Sequence, residues 1–418
     1  MPRIRPVESP VTIELDGDQI QAREGESVAA ALLAHGERVF ARSPKYHRPR
    51  GPFCLSGACS HCLMRVDGVP NVATCTTPVK AGMRIEHQNA MPDRRVDLFR
   101  ANDFIFREWF NHHEFLAGVP LAEAVMLKVA RKLSGLGFLA DQPAPDRPPA
   151  VTETLSMVIV GGGAAGLAAA QRLQERGIGY VLFEREHELG GRLAIAAEVD
   201  QPTVWQPPAE HVRTRAQVVG LFADEGTPFL VVLQEHQLHF VYFDKLLLAV
   251  GGHAVLPTFP NNDLPGVMWG RAVSRLIRQG QVMPGRRIAC VGEATEAKAL
   301  AELVARVGGE AVAVGAQVER VHGISGVSAV TVTPGGKVDC DVVALCEPPS
   351  PAFELARAAG AKVSWSPEAR SFVVETEPDG RTARRAVWLA GEIRGPMSSR
   401  AAAEQGRVAA DSMVGGAS

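Results

Sequence analysis

No apolar run in this 418-residue chain reaches the roughly 18–20 residues that a membrane-spanning helix requires. The longest candidate, Phe115 to Ala140, is broken by Glu123, Lys128, Arg131 and Lys132. Met1 to Val11 lacks the apolar stretch of a secretory leader. Charge of one sign is also missing: the net charge is −2, which favours neither nucleic acid nor an anionic membrane as a bulk partner. A soluble, cytoplasmic protein without a membrane span is the expectation. Hydrophobic residues at 46% and charged residues at 22% argue against long disorder, and the length leaves room for roughly two to four domains.

Cysteine is sparse and unevenly placed. Of seven, four fall close together: Cys54, Cys59, Cys62 and Cys75. Cys290, Cys340 and Cys346 are scattered among apolar neighbours and read as small core residues. A disulfide framework is not expected in a long chain without a leader. The cluster reads as a metal site.

Val11 to Leu15 alternates, Asp16-Gly17 is a tight-turn signal, and Gln19 to Arg23 can pair back as a second strand. Ser27 then stands as N-cap of a short apolar helix that Gly36 stops. A second hairpin is predicted around Asp67-Gly68, with Leu63 to Val66 before it and Val72 to Cys75 after it. Hairpin, helix and cysteine loop together suit a β-grasp domain over residues 1–100. Residues 101–150 read as a helical connector ending in a stiff proline-rich linker.

The spacing Cys-x4-Cys-x2-Cys-x12-Cys matches the plant-type [2Fe–2S] pattern in its first three members. Gly57 lets the loop curl, and the small residues Ser56, Ala58 and Ser60 let backbone N–H groups approach the cluster sulfurs. A structural zinc site is the alternative. Such sites more often use two Cys-x2-Cys knuckles, and only one is present. His61, between two of the cysteines, points outward in the expected loop and is not taken as a ligand.

Met157 to Val160 is an apolar run suited to a buried parallel strand, followed by Gly161-Gly162-Gly163-Ala164-Ala165-Gly166 and an Ala/Leu-rich helix. Gly161 serves the tight turn, Gly163 the approach of a pyrophosphate, and Gly166 close helix–strand packing; Ala164 and Ala165 open the helix. Glu184, followed by Arg185, ends the next strand, where a carboxylate can accept both hydroxyl hydrogens of an adenosine ribose. This is a Rossmann-type βαβ unit.

A second βαβ unit, beginning at Ile288 and returning at Val314, carries an eroded loop: Gly292-Glu293-Ala294-Thr295-Glu296-Ala297. Only the first glycine remains, and two carboxylates stand where a pyrophosphate would need positive charge. No ribose-binding acid follows Val314. This domain reads as a retained scaffold. No Cys-x2-Cys lies in the first dinucleotide region, which argues against disulfide-reductase chemistry. His112-His113 reads as a packing or surface pair, and no catalytic residue is assigned.

Three further segments carry a resemblance: Glu188 to Arg192 with Gly191 and Arg192, the strand Leu246 to Gly252 with Gly251, and Val387 to Glu392 with Gly391 and Glu392. They resemble the FAD-binding domain of two-dinucleotide-domain flavoproteins, with Glu392 where Asp is commoner. The N-terminal hairpin, Lys45 to Gly51 and the connector resemble the α subunit of heterotetrameric sarcosine oxidase. The four cysteines are similar to those of its iron–sulfur relatives, the hydrogen cyanide synthase, opine oxidase and hydroxyproline or proline dehydrogenase assemblies.

The resemblance implies an α/β flavoprotein behind an α+β ferredoxin-like domain. The FAD-binding domain is expected at residues 151–261 plus 386–418, with a degenerate NAD-binding-like domain inserted at 262–385. Cys54, Cys59, Cys62 and Cys75 would hold the [2Fe–2S] cluster. Gly161, Gly163, Ala164, Ala165, Gly166, Glu184, Arg185, Gly191, Gly251, Gly391 and Glu392 would approach FAD, Arg192 would offset pyrophosphate charge, and Val218 would pack on the adenine. A partner flavoprotein β subunit would oxidise the amine or amino acid, with an FMN at the subunit interface in some members. The acceptor, oxygen or a quinone chain met by peripheral contact, is left open. The family's aminomethyltransferase-like C-terminal part has no counterpart in the residues at hand. Two other functions stay open: an NAD(P)H-dependent reductase feeding an oxygenase, and a non-catalytic nucleotide-binding scaffold subunit.

Overall fold

A computed structural model describes residues 3–44, 46–88, 90, 97–105, 125, 139–143, 146–197, 205–384 and 386–415. His112, His113, Lys45 and most of the connector lie outside them. The chain divides into two compact units, Met1–Ala144 with Leu256–Glu347, and Pro145–Val255 with Pro348–Ser418.

In the first unit, a five-stranded sheet runs in the order Asp18–Arg23, Pro10–Leu15, Arg84–Glu86, Leu63–Val66, Val69–Ala73. Only the central pair, Pro10–Leu15 with Arg84–Glu86, is parallel, so the helix Val28–His35 bridges a β-grasp. Ser27 Oγ accepts the Ala30 N–H at 3.2 Å, and Gly36 ends the helix at φ 102°. Asp16-Gly17 and Asp67-Gly68 all have positive φ, as two-residue hairpin turns of matching twist demand. The second hairpin differs from expectation. Its return strand is Val69–Ala73, because the tight turn restarts the ladder at once. Cys75 lies beyond the strand and is free to leave the sheet.

The same unit contains a parallel sheet ordered Val267–Trp269, Val342–Cys346, Arg287–Gly292, Glu310–Val314, with the helix Ala294–Arg306 connecting Arg287–Gly292 to Glu310–Val314. A three-stranded antiparallel meander spans Gln317–Gly323, Val327–Thr333 and Gly336–Asp339. Cys290, Cys340 and Cys346 are buried, and burial pushes the Cys290 thiol up to about 12.

The second unit is built on a seven-stranded sheet. Val151–Val160 and Gln237–Leu248 form its long parallel pair, flanked by Val181–Phe183 on one side and Val387–Leu389 on the other. The first strand is longer than the apolar run Met157 to Val160. Residues 151–157 pair with His239–Lys245, but they are part-exposed and carry polar side chains, so they leave no continuous hydrophobic signal. Residues 348–384 also belong to this unit, which moves the crossing back into it from the expected 385/386 to 347/348. Pro351 pairs with Gly252, and Ala352 N–H donates to the Gly251 carbonyl, which ties that return to the sheet.

Candidate redox-cofactor sites

The loop after Phe53 turns on two residues of positive φ, Leu55 at 48° and Gly57 at 72°. A Cβ on Gly57 would stand 3.1 Å from Thr76 Cγ2, so the turn closes tightly against the run that carries Cys75. Cys54, Cys62 and Cys75 are buried and Cys59 is half-buried. The thiol of Cys54 lies near enough to those of Cys59 and Cys75, and that of Cys62 to that of Cys75, for each to perturb the other. These neighbours hold Cys54 and Cys62 below the ordinary thiol value and push Cys59 and Cys75 far above it. Four thiolates cannot ionise side by side without a cation among them.

Among the described residues, no group of three or more His, Cys, Asp or Glu side chains closes around a single metal ion. The donor set consists of four cysteines and no other ligand type, the ligation that a [2Fe–2S] cluster takes. Ser56 N–H points at Cys54 Sγ at 3.4 Å, one of the sulfur-directed donors the small loop residues allow. Fully buried Thr74 escaped notice in the sequence. Its hydroxyl donates to the Cys62 carbonyl at 2.8 Å, and its own carbonyl accepts from Ala29 in the helix, which fixes the loop to the fold.

The second unit holds the glycine loop. Gly161 has φ 104°, and a Cβ there would run into the Ala249 carbonyl. A Cβ on Gly166 would run into the Gly161 carbonyl, whereas Gly163 faces open space. Gly163 is the N-cap of the helix Ala164–Glu175 and caps with no side chain, so its first N–H groups stay available to an anion. Ala165 is buried in the same turn.

Glu184 is buried, with Oε2 accepting Gly162 N–H at 2.7 Å and Oε1 accepting Glu186 N–H at 2.9 Å. Burial raises its pKa and the two donors oppose that shift. Arg185 beside it is exposed and lies 3.7 Å from Glu186. Gly191, at φ 49°, packs so close that a Cβ would meet Gly163 Cα at 3.1 Å. Gly251 has φ 76° and open space around it.

Gly391 has φ 82°, its N–H donates to Gln405 Oε1 at 3.0 Å, and a Cβ there would meet Ala165 Cβ at 3.0 Å. Gly161, Gly163, Gly166, Glu184, Gly191 and Gly391 thus gather around one helix start. Arg192 is bound to Glu392 at 3.0 Å and to the Met397 carbonyl at 2.9 Å. Val218 is half-buried against the core that contains Phe183, and pairs across the sheet with Val232. Gln405 and Gly406 were not foreseen. A Cβ on Gly406 would run into the Ala165 carbonyl, so the C-terminal helix Ser399–Gly415 can approach the glycine loop only at a glycine.

The eroded second loop is closed from within. Glu293 is the N-cap of the helix Ala294–Arg306; its Oε1 accepts Thr295 N–H at 3.0 Å and its Oε2 accepts Glu296 N–H at 2.7 Å. One carboxylate thus occupies the N–H groups that would cradle a phosphate. Glu296 instead faces Arg271 Nε at 3.3 Å.

The comparisons with known proteins agree with this architecture. A family model described as a 2Fe-2S iron-sulfur cluster binding domain matches residues 8–90, and an NAD(P)-binding Rossmann-like domain matches residues 159–217. The chain is 27% identical to the sarcosine oxidase subunit alpha of Rhizobium meliloti, across 87% of this chain and 42% of that one. Hydrogen cyanide synthase subunit HcnA of Pseudomonas aeruginosa is 39% identical across 19% of this chain and 75% of its own length. Subunit HcnB of the same organism is 35% identical across 31% of this chain and 32% of its own. Among solved structures, an L-proline dehydrogenase from P. horikoshii superposes with a TM-score of 0.77 at 20% identity, over 99% of this chain and 75% of that one, a likeness of fold. The chain spans about two-fifths of the length of the sarcosine oxidase subunits it matches.

Proposed function

We propose that the chain, similar to sarcosine oxidase α and the hydrogen cyanide synthase chains, is the electron-transferring FAD and [2Fe–2S] subunit of a heteromeric amine or amino-acid dehydrogenase or oxidase. One observation carries this reading. The chain combines a four-thiol loop with an open dinucleotide cradle, while its second cradle is capped by Glu293. When bound, a flavin would supply two-electron chemistry and an iron–sulfur cluster one-electron chemistry.

Each residue then has a defined part. Cys54, Cys59, Cys62 and Cys75 hold the irons. Gly161, Gly163 and Gly166 admit the pyrophosphate, and the uncapped N–H groups of Ala164 and Ala165 face it. Glu184 takes the adenosine ribose. Gly191, Gly251 and Gly391 let the backbone lie close to the cofactor, and Arg192 holds Glu392 beside it. That the similar proteins are subunits of larger enzymes supports placing substrate oxidation in a partner flavoprotein β subunit.

The test is anaerobic purification of the chain together with whatever subunits accompany it, followed by an absorption spectrum. Flavin and iron–sulfur bands, a co-purifying flavoprotein and reduction by an amine or amino acid are the expected results. A colourless chain after reconstitution with iron, sulfide and FAD defeats the proposal. Rapid flavin bleaching by micromolar NADH would instead establish an NAD(P)H-dependent reductase.

A further inference from the structure

The inserted domain has lost its nucleotide loop yet keeps a complete parallel sheet, and the question is what that sheet now serves. Its strand Val267–Trp269 lies at the sheet edge. An edge strand leaves backbone groups without a ladder partner, and such groups are costly when buried. Here Trp269 N–H donates to the Phe53 carbonyl at 3.1 Å. Phe53 immediately precedes Cys54, and Phe53, Cys54, Leu55 and Trp269 are all buried.

The approach to the cysteine loop is gripped upstream as well. Arg48 reaches Asn261 Oδ1 at 2.9 Å and Asp263 Oδ1 at 3.1 Å. Gly51 passes so near that a Cβ would lie 3.2 Å from Pro265. Residues 48–53 are therefore held by 261–269.

Trp269 is itself fixed from the other side. The Arg271 guanidinium lies 5.1 Å from the centre of its ring, and Arg271 is held in turn by Glu296 in the first turn of the capped helix. Glu296 is one of the residues that makes the second loop hostile to a pyrophosphate. Glu296, three residues after the capping Glu293, thus supplies the partner of the cation that lies over Trp269.

We propose that the inserted domain has become the seat of the iron–sulfur loop, with Glu296, Arg271 and Trp269 acting in sequence as positioning residues for the segment that carries Cys54. This rests on the cluster being bound at the four cysteines. Loop geometry sets the hydrogen bonds and exposure of the cluster sulfurs, and these set the reduction potential. A seat that only stabilised the fold would leave the potential alone.

The experiment compares Trp269→Ala, Trp269→Phe, Arg271→Ala and Glu296→Gln with the parent in the full, cofactor-loaded chain and any co-purifying subunits. The readouts are iron content, the electron paramagnetic resonance spectrum of the reduced cluster and its midpoint potential. Trp269→Ala and Arg271→Ala are expected to shift the spectrum and the potential or to lose iron while retaining flavin. Trp269→Phe, which keeps a ring for the guanidinium, is expected to stay near the parent. Val312→Ala, on the opposite edge strand, is the control that should change neither. Should Trp269→Ala not fold, Arg271→Ala and Glu296→Gln decide the matter, since both leave the Trp269 ring in place. Parental spectra and potentials in every folded variant overturn the inference. A parent without any cluster signal fails the underlying reading instead.

Discussion

Arg192 Nη1 stands 3.0 Å from Glu392 Oε1, two residues 200 positions apart in sequence. The pair joins the glycine-rich turn after the second strand to the glycine–acid end of the last one. With side chains only 19% and 10% exposed, it is shielded from the water that makes surface ion pairs nearly worthless. The arginine expected to face a pyrophosphate is thus already engaged by a carboxylate. In the proposed FAD site its part would be to hold Glu392.

Removing one member should therefore cost more than removing both. Arg192→Ala leaves Glu392 poorly compensated and is expected to destabilise the chain by about 1–3 kcal/mol. The double variant with Glu392→Gln should recover part of that loss. Urea unfolding of the flavin-free chain checks this; equal losses in single and double variants would show that the pair is energetically idle.

Glu184 should give the stability a pH dependence of known sign. Burial raises its pKa above the ordinary 4.5. The folded chain then binds that proton better than the unfolded chain does. The contribution is complete below the unfolded value and is lost as pH rises through the folded one. The stability of the parent minus that of Glu184→Gln is expected to be largest near about pH 4 and to shrink as pH climbs through the carboxyl range. A difference that grows with pH would contradict the raised value. At neutral pH, Glu184→Gln should also weaken FAD binding, as equilibrium dialysis would measure.

Glu293 makes a separate prediction for the capped loop. Glu293→Ala frees the N–H groups of Thr295 and Glu296 and should destabilise the chain by about 1 kcal/mol, the usual worth of an N-cap. NADH should still not bind measurably, because Ala294 and Ala297 keep their Cβ atoms where the phosphate and helix would approach. Tight NADH binding by the variant, seen by calorimetry, would mean that the carboxylate alone closes the site.

How much of this could be foreseen differs by element. Ser27, Gly36, Asp16-Gly17 and Asp67-Gly68 announce their structures because caps and tight turns depend on a few adjacent residues. The return strand of the second hairpin begins three residues before its local signal at Val72, since its opening residues Val69-Pro70-Asn71 carry little strand signal. The polar half of Val151–Val160 was invisible because its partner, His239–Lys245, is distant in sequence. Gln405 and Thr74 matter only through contacts made across the fold, and no local spacing reveals them. Glu293 could be read as hostile to phosphate, but that its own oxygens take over the helix N–H groups follows only from its rotamer.

Gly406 offers the sharpest steric test. In the sequence it is one glycine in an alanine-rich helix, and helix propensity alone favours Gly→Ala there by roughly 1 kcal/mol. In the structure, a Cβ at that position would run into the Ala165 carbonyl, in the first turn of the helix that the glycine loop opens. Backbone cannot yield as a flexible side chain can, so the two helices would have to separate. Overpacking of this kind typically costs about 1–3 kcal/mol, enough to outweigh the propensity gain. Gly406→Ala is thus expected to lower the unfolding midpoint and to weaken FAD retention on gel filtration, while the iron–sulfur bands, carried by the other unit, remain. Gly415→Ala, near the end of the same helix with nothing within 4 Å of its would-be Cβ, should be neutral or slightly stabilising. Were both alanine variants stabilising, the close approach of the C-terminal helix to the glycine loop would not exist in solution.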